Sequence, residues 1–219
     1  MAKTIAVLGI TGNQVCLSSF PCHSPNHQTK LTLTQGGFVA DKFLSLGWNV
    51  RGITRSTSSS SAAALKAKGI TLIEADLDNP STLIPAFSGA HVIFAVTDFW
   101  APYFASYEEL SKVSDRETGE YAFEIEVRRG KGIVDAVEKV LKDEGMLKRF
   151  IFSTLPSLKK VSGGKYAFNY HFDGKAEISG YLKGKKELWG KSSLLNMGFY
   201  TTNLVKMGPR VGFGKVSLL

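Results

Sequence analysis

Short apolar runs of strand length alternate along this chain with stretches of helical character, and that alternation constrains the fold more than any other feature. Residues 3–8 (KTIAVL), 49–54 (NVRGIT), 70–74 (ITLIE), 91–96 (HVIFAV), 149–153 (RFIFS) and the weaker 193–196 (SLLN) read as strands. Runs that are apolar throughout, rather than at every second residue, suit parallel strands buried on both faces. Between them, residues 37–46 carry Phe38, Val39, Phe43, Leu44 and Leu46 at roughly helical spacing, and residues 60–68 are alanine-rich. Pro80 and Ser81 open a short helix that ends near Gly89. Residues 121–144 place Ile125, Ile133, Ala136, Val137, Val140 and Leu141 on one stripe, which Gly145 terminates. Strand and helix in repeated succession predict an α/β fold, a doubly wound parallel sheet with right-handed crossovers. The ligand of such a sheet lies outside the carboxyl ends of its strands.

The first strand ends in Gly9-Ile10-Thr11-Gly12-Asn13-Gln14. Glycines between a first strand and a helix let the backbone approach a diphosphate, and the helix N-terminus supplies N–H groups and a positive dipole end. The turn is interrupted, however. Residues 15–35 hold both cysteines (Cys16 and Cys22), two of the four histidines, two prolines and no acidic residue, and only then do Gly36 and Gly37 open the helical pattern. Without residues 15–35 the text reads GITGNQ-GGFVADKF, an unbroken G-x-x-G-x-x-G turn. A long structureless loop inside so tight a turn is unusual. Val15-Cys16 can be encoded GTATGT, Thr34-Gln35 can end in CAG, and a nearby Leu-Thr can carry CTAAC, so residues 15–35 read as a translated retained intron. A genuine surface loop is the alternative. The C-x5-C spacing matches no common metal or redox motif, and no metal site is expected.

Gly9, Thr11, Gly12, Asn13, Gln14 and Gly36 are therefore candidate cofactor-binding residues. The second strand ends at Thr54-Arg55-Ser56. An acidic residue there prefers a ribose 2′-hydroxyl and an arginine accommodates a 2′-phosphate, so Arg55 favours NADP over NAD; the plainer reading is an exposed loop arginine. Asp76 and Leu77 follow the third strand, where a carboxylate can accept from the adenine amino group. Asp78 is the better candidate to cap the helix near Pro80. Val96 and Thr97 end the fourth strand, where backbone lines a dinucleotide.

The formal net charge is +8. The basic residues form loose groups, such as Arg128-Arg129-Lys131, that read as solvated faces, and without zinc-finger spacing or an aromatic RNA-binding motif no direct nucleic-acid partner is expected. No apolar run reaches the about 18 residues that span a bilayer, and the first residues lack a secretory layout. A cytoplasmic protein is expected.

In series these pieces resemble the NmrA-like family of atypical short-chain dehydrogenases/reductases. The carrying residues are Gly9 to Gln14 joined to Gly36-Gly37, then Val50 to Arg55, Asp76-Leu77-Asp78, Phe94 to Trp100, and His171-Phe172-Asp173-Gly174-Lys175-Ala176-Glu177. The resemblance implies a Rossmann fold that binds NADP. It implies either a redox-sensing regulator with a protein partner such as a transcription factor, in the cytoplasm and also the nucleus, or an oxidoreductase of the isoflavone-reductase type. Short-chain dehydrogenases use Tyr-x-x-x-Lys, the tyrosine as acid/base and the lysine on the nicotinamide ribose. Here His171 stands four before Lys175 and Tyr170 is one residue out of register. The resemblance thus makes Lys175, His171 and Ser153 the candidate catalytic residues, with Lys175 also a cofactor ligand. Members usually continue into a smaller substrate- or partner-facing region, so residues 1–207 are expected to be the dinucleotide-binding domain, residues 208–219 an atypical tail, and the C-terminal substrate region largely missing.

Overall fold

The computed structural model describes residues 2–11 and 34–198. Among these residues six strands form one sheet: β1 (Thr4–Leu8), β2 (Asn49–Thr54), β3 (Thr71–Glu74), β4 (Val92–Val96), β5 (Arg149–Thr154) and β6 (Ser192–Asn196). Every pairing is parallel, in the order β3-β2-β1-β4-β5-β6. The chain winds outward from β1 to β3, returns to the centre at β4, and winds outward the other way. The carboxyl ends of β1 and β4 flank the point of reversal, where a doubly wound sheet opens a crevice. Val7 at the centre pairs with Gly52 on one side and Phe94 on the other.

Successive side chains of the central strands enter opposite layers, as strand geometry requires. Ile5, Val7, Val92, Phe94 and Val96 pack beneath α1 (Gln35–Ser45) and α2 (Ser60–Ala67), against Val39, Ala40, Phe43, Leu44 and Leu65. Ala6, Leu8, Ile93 and Ala95 enter the other layer with Phe150 and Phe152. That layer is covered by a 3-10 turn (Pro80–Thr82) leading into α3 (Leu83–Phe87), then α5 (Asp115–Glu144), α7 (Tyr170–Gly184) and α8 (Lys186–Gly190). The remaining helices are α4 (Trp100–Leu110) and the single turn α6 (Leu158–Val161). α5 and α7 approach closely because Gly119 and Gly130 leave room for the Tyr170 ring and the Ile178 side chain.

All six expected strands are present, within a residue of the expected bounds. Three expectations change. The long helix begins at Asp115, not residue 121: the Ser114 hydroxyl accepts from Glu117 N–H and caps a polar first turn that carries no apolar period. Helix α4 is not among the expected elements, although Trp100, Tyr103, Phe104 and Tyr107 fall at i, i+3, i+4 and i+7; Asp98 Oδ1 accepts from the N–H groups of Trp100 and Ala101 at its start. Asp78 does not cap the helix near Pro80. Its carboxylate is turned to Arg128 (2.8 Å) and Arg129 (2.6 Å) on α5, which hold it below the ordinary carboxylate range.

Candidate dinucleotide site

The amino end of α1 meets the turn after β1. A Cβ on Gly36 would stand 2.7 Å from the Gly9 carbonyl oxygen, and one on Gly9 would stand 2.5 Å from a Val96 methyl. Both are closer than real Cβ contacts, and Gly9 has a φ of 80°, so only glycine fits at either position. Thr34 locks the junction. Its hydroxyl donates to the Ile10 carbonyl at 3.0 Å and accepts from Gly37 N–H at 2.9 Å, as an N-cap. The two glycines separated in the text thus meet in space, as the turn reading requires. Gly12, Asn13 and Gln14 lie outside the described residues, as do Cys16 and Cys22. Gln35, which the sequence reading set inside the interruption, forms the first residue of α1 and is buried.

On the β2 side, Thr11 Oγ1 lies 3.3 Å from Thr54 Oγ1, joining the first turn to the end of the second strand. Arg55 follows, exposed. Asp76 is exposed at the end of β3, its Oδ1 accepting from Asp78 N–H, while Leu77 packs partly into the core. Val96 and Thr97 are buried at the end of β4.

The second cluster centres on Lys175. Its ammonium donates to the Thr97 carbonyl (2.8 Å), Thr97 Oγ1 (2.9 Å) and Glu126 Oε1 (2.5 Å). An ammonium has three N–H donors, and these three acceptors use all of them. Thr97 Oγ1 in turn donates to Glu126 Oε1 at 2.7 Å. Glu126 is fully buried, and its Oε2 has no partner among the described residues. A charge is held in the core only when paired in this way. Sequence reasoning missed Glu126, although a signal existed. Ala122, Glu126, Gly130, Ile133 and Val137 fall at helical spacing on the buried stripe of α5, so an acidic residue interrupts an apolar face.

His171 is one turn before Lys175 on α7. Its ring lies 5.0 Å from that of Trp100, 5.8 Å from Phe99 and 4.7 Å from Phe172. Burial lowers its pKa, the Lys175 charge lowers it further, and Asp173 opposes both. Tyr170 is turned away. Its hydroxyl donates to Glu120 Oε1 at 2.9 Å, and burial together with that bond raises its pKa. Ser153 is buried on the α1 side of β5, where its hydroxyl donates to Gln35 Oε1 at 2.8 Å. Its neighbour Thr154 points the other way, to Ser179 Oγ (2.7 Å) and the Lys175 carbonyl (3.1 Å) on α7. The structure therefore brings His171 and Lys175 onto one helix and joins Ser153 to α1 instead. Among the described residues no cluster of three metal-binding side chains forms and no helix is long and apolar enough to cross a membrane.

The NmrA-like family model matches residues 32–214. An NmrA-like family domain-containing oxidoreductase of Aspergillus campestris is 32% identical over 135 residues, which are 61% of this chain and 34% of that protein. The crystal structure of NmrA, a negative transcriptional regulator, in complex with NAD superposes with a TM-score of 0.60 at 22% identity, covering 92% of this chain and 47% of that one. An NADPH-dependent quinone oxidoreductase of Escherichia coli complexed with NADPH gives 0.57 at 17% identity, covering 94% and 53%. The chain spans about half the length of these solved structures and about a third of that curated relative. By the family model, which matches most of its length, the chain belongs to the NmrA-like family.

Proposed function

We propose that this protein binds NADP at the α1 end of the sheet and acts as a redox-sensing regulator of transcription or signalling, working through a protein partner rather than by turnover. The fit to a dinucleotide rests on the close packing of Gly36 on the Gly9 carbonyl, which only glycine permits and which brings the α1 N-terminus to the end of β1. Gly9, Thr11 and Gly36 would face the diphosphate, Arg55 the 2′-phosphate, Asp76 and Leu77 the adenine, and Val96 and Thr97 the remainder. Residues 12–14 complete the turn in the sequence. One solved relative is complexed with NAD and another with NADPH; the exposed Arg55, with Ser56 and Thr57 beside it, favours NADP here. Such a role belongs in the cytoplasm and nucleus.

The observation that carries the regulatory reading is the state of Lys175. Its three donors are used within the protein, Tyr170 is bonded to Glu120 instead, and no tyrosine hydroxyl among the described residues is hydrogen-bonded to it. The tyrosine–lysine proton relay of short-chain dehydrogenases has neither of its parts free. Bound NADPH supplies a hydride in enzymes that use it; among the described residues no tyrosine is placed as the matching proton donor. The second reading, an NADP-dependent oxidoreductase, is favoured by His171, a titratable ring one turn before Lys175, and by the oxidoreductase name of the Aspergillus relative. NADPH consumption over a panel of quinones, enones and aldehydes separates the two. Absence of turnover with intact NADP binding is expected. Steady turnover abolished by Lys175→Ala would overturn the regulatory reading.

A further inference from the structure

Gln35 is an unusual residue to find at a helix start: it is only 6% exposed, and its carboxamide is half used. Ser153 Oγ donates to Oε1, while Nε2 is buried with no partner among the described residues. A buried N–H donor left unpaired loses its hydration without a replacement, so an acceptor is normally supplied. With Oε1 held by the Ser153 hydroxyl on β5, Nε2 is the end of the amide left for an acceptor. Gln35 also reaches from α1 past β1 and β4 to β5, and so stands on the opposite side of the reversal point from Arg55 at the end of β2. Positions 14 and 35 are both glutamine, so excising residues 14–34 or 15–35 leaves the same text. The structure puts the second glutamine on the helix.

We infer that Gln35 is a ligand-binding residue. Its Nε2 donates to an oxygen on the nicotinamide half of the dinucleotide, a phosphate or ribose oxygen, and Ser153 is the positioning residue that aims it. The inference rests on the dinucleotide reading above and adds to it a division of labour: Arg55 reads the adenosine half and Gln35 the other.

The test is calorimetric titration of the full chain with NADP and with adenosine 2′,5′-bisphosphate, which keeps the adenosine half alone. Gln35→Met preserves side-chain length and removes the donor. It is expected to weaken NADP about tenfold, or about 1.4 kcal/mol, and to leave the bisphosphate within about twofold. Ser153→Ala, which frees the amide to turn, is expected to shift the same ratio in the same direction by less. A variant that merely populates unfolded chain weakens both ligands equally, so the ratio reports the contact and not the fold. Equal loss for both ligands, or unchanged NADP affinity, overturns the inference while leaving the dinucleotide reading intact. Failure of the unaltered chain to bind either ligand overturns both.

Discussion

Lys175 Nζ lies 2.5 Å from Oε1 of Glu126, a carboxylate with no exposed surface, and the pair ties α7 to α5 under the end of β4. The lysine is 12% exposed at its side chain, so the pair is shielded from water and little screened by salt. Breaking one partner of such a pair strands the other, whereas replacing both with apolar groups removes the problem. Glu126→Leu is expected to lower unfolding stability by about 3–5 kcal/mol. The double variant Glu126→Leu with Lys175→Met is expected to recover most of that. Urea unfolding measures both. A single variant costing under about 1 kcal/mol would mean that the pair is solvated and that Lys175 is available to a ligand.

Gly36→Ala puts a methyl against the Gly9 carbonyl, where neither backbone can yield easily. A loss of about 1–3 kcal/mol is expected from the overpacking, with weaker dinucleotide binding. Gly180 on α7 is the contrast, because a Cβ there meets nothing within 4 Å. Gly180→Ala is expected to stabilise by about 0.5–1 kcal/mol through helix propensity. Thermal unfolding of the two variants side by side checks the pair of signs.

The lowered pKa of His171 makes a stability prediction with a defined sign. Above the ordinary histidine value, about 6.5, the ring is neutral in both folded and unfolded chains and contributes no slope. As pH falls through that value the unfolded chain takes up a proton that the folded chain resists, and stability declines until the folded ring also protonates. His171→Gln should flatten this part of the profile as pH falls below about 6.5. An unchanged slope would show that the ring is protonated freely among Phe99, Trp100 and Phe172.

The parallel sheet was legible because its strands are apolar throughout and its helices carry a period, both of which survive without knowledge of neighbours. Gly9 and Gly36 were legible for a related reason: a turn that needs no side chain leaves glycine as its signature. Glu126 was hidden because its partner is far along the chain, and a single acidic residue on a stripe says nothing of what it faces. Gln35 was hidden by the interruption, which made it look like the end of an insertion. The burial that makes Ser153 inaccessible to α7 follows from strand alternation: Ser153 and Thr154 must face opposite layers, and only the fold decides which face carries α7.

In the proposed function, Arg55 carries the choice of cofactor. Arg55→Asp replaces a guanidinium suited to a 2′-phosphate with a carboxylate that accepts from a 2′-hydroxyl and repels a 2′-phosphate. The ratio of NADP to NAD affinity is expected to fall at least about tenfold, equivalent to about 1.4 kcal/mol. A ratio that does not move would assign the 2′-phosphate to another residue.

In the proposed function, the α1 N-terminus and the Gly9 turn, brought together at Gly36, hold an NADP molecule. Calorimetric titration of the chain with NADP, NADPH and NAD tests it most directly. Saturable binding of NADP and NADPH, tighter than that of NAD and lost in Gly36→Val, is expected. No heat of binding with any of the three, or tighter binding of NAD than of NADP, would contradict it.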